Sequence, residues 1–75
     1  MVEEKITGIC KWFHKSKGYG FVIGEDGIEY FIHYKNISGE GFKVIEEGQA
    51  VLFGKGETIR GPVAVNLEVR NIIDK

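Results

Sequence analysis

Gly18-Tyr19-Gly20-Phe21-Val22-Ile23 and Ile28-Glu29-Tyr30-Phe31-Ile32-His33-Tyr34, joined by Gly24-Glu25-Asp26-Gly27, form the stretch whose reading decides the fold. Two short aromatic-rich runs around Asp-Gly predict an antiparallel hairpin, because Gly accepts positive φ and Asp can bond its own backbone. Side chains alternate faces along a strand. In the first run Tyr19, Phe21 and Ile23 therefore oppose Gly20 and Val22, and in the second Phe31 and His33 oppose Tyr30, Ile32 and Tyr34. If Val22 and Ile32 face a core, Tyr19, Phe21, Phe31 and His33 share the outward face with Lys17 at its margin. Any one of these aromatics alone reads as core, but their common parity reverses that reading. Rings left outward beside a lysine call for something flat and anionic to cover them, and single-stranded nucleic acid is such a ligand.

The 75 residues are read as a single domain, 1–75, with room for about four sequential connections. A chain of this size buries only about 60% of its unfolded surface. With 43% hydrophobic and 12% aromatic residues it should pack rather than stay disordered. One cysteine excludes an internal disulfide framework and a cysteine-based zinc site, and fits a reducing compartment. His14 and His33 are the only histidines, so no metal or other cofactor is expected. No apolar run reaches the roughly 20 residues of a membrane span, and Met1-Val2-Glu3-Glu4-Lys5 lacks the pattern of a signal peptide. The expected setting is cytoplasmic, with no membrane partner. The formal net charge is −1. Lys5, Lys11, Lys15 and Lys17 nonetheless follow one another without an intervening acid, so one basic face is compatible with a neutral total.

Before the hairpin, Glu4 to Phe13 reads as a first strand with Ile6, Gly8 and Cys10 on one side. Alternation cannot send both Trp12 and Phe13 the same way, so a bulge or a strong local twist is expected near there. Cys10 reads as a small core residue, and His14 to Gly18 as a hairpin loop. From Lys35 to Gly48 no period holds; Ser38 to Phe42 is a loop with one aromatic, and Val44-Ile45 tuck back on the core. Gln49 to Phe53 is a fourth strand that Gly54-Lys55-Gly56 weakens, and Thr58 to Pro62 is a loop. In the last strand Val63, Val65, Leu67 and Val69 should point inward and Ala64, Asn66, Glu68 and Arg70 outward, with Ile72-Ile73 extending it or fraying. Five short strands without a helical period predict a closed all-β barrel, which leaves no uncovered edge.

Lys11-Trp12-Phe13, Lys17 to Val22, Tyr30 to Tyr34, Gly39 to Lys43, Glu46 to Gln49 and Arg60-Gly61-Pro62 stand in an order that resembles the cold-shock domain family, from about Gly8 to Leu67 without insertion or deletion. The resemblance implies a five-stranded antiparallel OB-fold barrel that binds single-stranded RNA and DNA, linked in bacteria to RNA-chaperone activity and to control of transcription and translation. By that resemblance Trp12, Tyr19, Phe21, Phe31, His33, Tyr34 and Phe42 stack on bases, and Lys11, Lys17 and Arg60 meet phosphates or base edges. Glu29 stands where an acid, most often Asp, helps fix the adjoining base or lysine. His14 replaces a usual Asn, Tyr30 a usual Val, and Gly54-Lys55-Gly56 and the tail beyond Leu67 are atypical. If Tyr30 faces the core, its hydroxyl needs a partner or a path to water.

No Ser/His/Asp or Cys/His arrangement stands out, and Gly18-Tyr19-Gly20 is no phosphate-binding loop, so neither an enzyme nor a small-molecule substrate is expected. Two other readings use the same rings: a small barrel for protein interaction, and a ribosome-type barrel for structured RNA. The interleaved lysines disfavour the first. A monomer is expected, with strand exchange through Lys35 to Gly48 as the route to a dimer.

Overall fold

The computed structural model describes residues 5–38 and 44–69. Its strands are β1 (Lys5–His14), β2 (Tyr19–Gly24), β3 (Glu29–His33), β4 (Ala50–Thr58) and β5 (Gly61–Val69), with a 3-10 turn at Tyr34–Asn36. They close into a barrel in the order β1-β2-β3-β5-β4, and β4 returns to β1. The five-stranded all-β barrel expected from the sequence is observed. All neighbours pair antiparallel except β3 and β5, which meet in parallel where Phe31 faces Val63. An all-antiparallel ring is ruled out by counting: strict alternation of direction closes only with an even number of strands, so five force one parallel seam.

The expected antiparallel β2–β3 hairpin forms, in a register that sets Tyr19 opposite His33, Phe21 opposite Phe31 and Val22 opposite Tyr30. At its turn the Gly27 N–H donates to the Gly24 carbonyl at 2.8 Å, Gly27 has φ 82°, and Asp26 Oδ1 accepts the Ile28 N–H at 3.1 Å. This is the local chemistry that makes Asp-Gly a turn signal. Val22 and Ile32 are fully buried, together with Cys10, Ile45, Val51, Phe53, Ala64 and Leu67. The β1 bulge also occurs: pairing with β2 shifts between Cys10 and Trp12, so Lys11 and Trp12 both face out while Phe13 packs against the core. Cys10 is a core residue whose thiol is pushed up to about 11 by burial and then by Glu47 and Glu46.

Two expectations for the C-terminal half are corrected. β4 does not end near Phe53 but runs through Gly54-Lys55-Gly56 to Thr58, leaving only Ile59-Arg60 as the connection to β5. A Cβ on Gly56 would lie 3.0 Å from Val63 Cγ2 and 3.2 Å from Val65 Cγ1. The missing side chain there makes room for β5 rather than breaking β4. In β5 the inward set is also different: Ala64 and Leu67 are fully buried, while Val63 and Val65 are only half-buried. Asn66 sits in the left-handed region at φ 50°, where β4–β5 pairing shifts between Leu52 and Gly54. Asn tolerates that conformation better than most residues, and the irregularity resets the two-residue period. Arg70, Ile72 and Ile73 lie outside the described residues.

Tyr30 faces the core, as alternation requires, with its ring centroid 5.1 Å from that of Phe53 at 60°. Its hydroxyl reaches the barrel end and donates to Asp26 Oδ2 at 2.7 Å. Burial, and then the bond and charge of Asp26, push the phenol up to about 12. Asp26 is held below its usual 3.8, first by that hydroxyl and then by the Ile28 N–H. A raised phenol pKa means stability that is present in full below pH ~10 and lost as pH rises toward the folded value. Tyr30→Phe keeps the buried ring and removes the bond, so it should cost about 0.5–1.5 kcal/mol at pH 7. In urea unfolding, the gap between wild type and variant should stay constant between pH ~5 and pH ~10, shrink above that range as the phenol ionises, and shrink below it as Asp26 takes up a proton.

Candidate nucleic-acid interface

The outward face of β1, β2 and β3 carries rings in two rows because the pairing register aligns them. Across the first, Trp12 lies opposite Phe21 and Phe21 opposite Phe31; across the second, His14 lies opposite Tyr19 and Tyr19 opposite His33. Ring centroids are 5.5 Å apart for Trp12–Phe21, 5.6 Å for Phe21–Phe31, 5.9 Å for Trp12–Tyr19 and 6.0 Å for Tyr19–Phe31. Trp12 is 38% exposed. Tyr19, Phe21, Phe31 and His33 are half-buried, with Phe21 meeting Phe31 edge-on at 74° and Tyr19 lying closer to parallel with Phe31 at 29°. Such mutual packing stiffens the rings without covering them.

Tyr34 joins this face by a different route. Its parity in β3 would turn it inward, but the chain enters the 3-10 turn at Tyr34 and alternation stops. Its ring is 44% exposed and 4.6 Å from that of His33, whose Nδ1 accepts the Lys35 N–H at 3.2 Å. A residue outside the predicted set, His14, also joins, 6.1 Å from Tyr19 with planes 21° apart. Its parity with Trp12 on β1 was the available signal. Phe42 lies outside the described residues.

The charges are arranged differently from the expected basic face. Lys11, the bulge residue, pairs with Glu29 at 2.8 Å, Lys15 with Glu46 at 2.8 Å and Lys5 with Glu68 at 2.8 Å. Barrel closure brings acids distant in sequence against three of the four N-terminal lysines. Lys17 and Arg60 make no ion pair among the described residues. Arg60 sits at the β4–β5 hairpin tip beside a groove of about 670 Å³, whose walls include Phe21, Phe31 and His33 on one side and Ile59 and Pro62 on the other, with Glu29 also lining it. The Glu29 carboxylate thus pairs with Lys11 and borders this groove.

Residues 6–70 match the family model described as the "Cold-shock" DNA-binding domain. The chain belongs to the cold-shock domain family. Cold shock protein 1 of Lactiplantibacillus plantarum is 50% identical over 61 residues, covering 81% of this chain and 92% of the relative. Cold shock protein CspB of Bacillus caldolyticus is 50% identical over 60 residues, covering 80% and 91%. Among solved structures, drosophila Unr CSD456 superposes with a TM-score of 0.74 at 17% identity, over 92% of this chain and 28% of that longer one. That likeness speaks for the fold alone. The present chain is accordingly a nucleic-acid-binding cold-shock protein with an OB-fold barrel.

The two faces of one strand differ in what they contribute. Ile32→Ala in the core should cost about 2–5 kcal/mol. Phe31→Ala, which loses partial burial and two ring contacts on the outward face, should cost roughly 1 kcal/mol. Urea unfolding of both variants checks this, and a Phe31→Ala loss equal to that of Ile32→Ala would make the outward rings a second core.

Proposed function

We propose that this cold-shock protein binds unpaired RNA and DNA across its outward rings and acts as an ATP-independent RNA chaperone, affecting transcription and translation in the cold. It works as a monomeric single domain in the cytoplasm, without a catalytic step or cofactor. The observation that carries this reading is the two-row array of rings, held apart from the core by strand alternation, with Lys17 and Arg60 among the cations not consumed by ion pairs. Trp12, Tyr19, Phe21, Phe31, His33 and Tyr34 offer stacking platforms, with Phe42 assigned to the same role through family membership. Lys11, Lys17 and Arg60 meet phosphates or base edges, and Glu29 positions Lys11 or accepts from a base.

Stacking on an aromatic side chain is worth about 1–3 kcal/mol per base and suits every base, since each has a π-face. In a duplex those faces are occupied by neighbouring bases. A protein that holds unpaired bases and not duplex therefore shifts melting toward the open strand in proportion to its differential affinity. No nucleotide hydrolysis is needed.

The test is a fluorescent hairpin beacon mixed with the protein and no ATP. Opening should be seen, and Phe21→Ala and Phe31→Ala should abolish it while circular dichroism stays native. A beacon that remains closed, or opens equally with both variants, contradicts the proposal. A second expectation concerns salt: with three cations at the interface, log K against log salt for an unstructured oligonucleotide should have a slope no steeper than about −2. A slope near −5 would mean that phosphates, not rings, carry the affinity.

A further inference from the structure

The register of β1, β2 and β3 makes the ring array a two-by-three grid: Trp12, Phe21 and Phe31 in one row, His14, Tyr19 and His33 in the other. His14 occupies the corner at the end of β1. Its imidazole lies nearly parallel to the Tyr19 ring, at 6.1 Å and 21°, and so continues the row that leads through His33 to Tyr34.

The ring is also oriented. The Lys17 N–H donates to Nδ1 at 3.3 Å, and Ser16 Oγ lies 3.3 Å from the same nitrogen. With Nδ1 accepting, the neutral imidazole carries its proton on Nε2, on the opposite edge of the ring. The side chain is exposed, packs against no core residue and makes no ion pair among the described residues. Of the two lysines flanking Ser16, Lys15 is paired with Glu46 at 2.8 Å, and Lys17 makes no ion pair among the described residues and so leaves one cation near the ring for an anionic strand.

Building on the single-strand reading above, we infer that His14 is a further nucleic-acid-binding residue: its ring is a stacking platform for an unpaired base at the β1 end of the bound strand, and its Nε2–H is a donor to a phosphate or base carbonyl oxygen. The orientation by Lys17 N–H lowers the entropy lost when a base settles on the ring. The bound strand then covers one platform more than the predicted residues alone offer.

The experiment uses the full chain with an oligo-dT heptamer, following the aromatic proton resonances of His14, Tyr19 and Phe31 by NMR and the dissociation constants of wild type, His14→Ala and His14→Phe. A base stacked on His14 moves its ring protons upfield together with those of Tyr19 and Phe31. His14→Ala should weaken binding about five- to tenfold, the lower part of the stacking range, and His14→Phe should restore it. Both substitutions remove the exposed bond from the Lys17 N–H, so the urea midpoint should fall only slightly, and by a similar amount in the two variants. Shifts at Tyr19 and Phe31 with none at His14, and wild-type affinity in His14→Ala, would overturn the assignment while leaving single-strand binding intact. A response at none of the three rings would overturn the single-strand reading itself, and this assignment with it.

Discussion

The two-residue period of a β-strand is the constraint on which the rest of this protein depends. Once Val22, Tyr30 and Ile32 are committed to a barrel interior filled by Phe53, Leu67 and Ile45, the intervening Tyr19, Phe21, Phe31 and His33 have nowhere to go but outward. The core and the outward aromatic face are therefore one decision, made by the same hairpin. Barrel closure makes the separation rigid, because a slip of one residue would exchange the two faces along the whole strand.

Where the period is broken, the break places something. The β1 bulge between Cys10 and Trp12 turns Lys11 and Trp12 outward together and returns Phe13 to the core. The 3-10 turn carries Tyr34 out beside His33. Asn66, in the left-handed region, lets Ala64 and Leu67 both reach the interior from β5. Tyr30 is the complementary case: it keeps the inward parity, and Asp26 from the hairpin turn satisfies its hydroxyl at the barrel end. The turn that sets the register thus also solves the problem that a core tyrosine creates.

These distinctions explain what could be read from the sequence. The hairpin, its inward and outward sets and the bulge were legible because they follow from local alternation and from a turn pair with its own chemistry. Trp12, Tyr34 and Arg60 were assigned only through the family resemblance, since neither strand parity nor loop position carried a signal for them. The extent of β4 and the inward set of β5 were misread because they depend on a partner strand: Gly56 looks like a breaker until Val63 and Val65 are seen beside it. The charge arrangement was hidden for the same reason. Lys11, Lys15 and Lys5 stand in an acid-free run, yet Glu29, Glu46 and Glu68 meet them only once the barrel has closed. Exposed pairs of this kind are worth little in stability, about 0–1 kcal/mol each.

The central claim is that the outward rings, not a general basic surface, hold unpaired bases. Trp12 is the natural reporter, being the only tryptophan, partly exposed, and in ring contact with both Tyr19 and Phe21. The most direct measurement is a titration of its fluorescence with a short oligo-dT and with a duplex of equal length. The account predicts strong saturable quenching by the single strand and little by the duplex. Equal quenching by both, or none by the single strand, would contradict it.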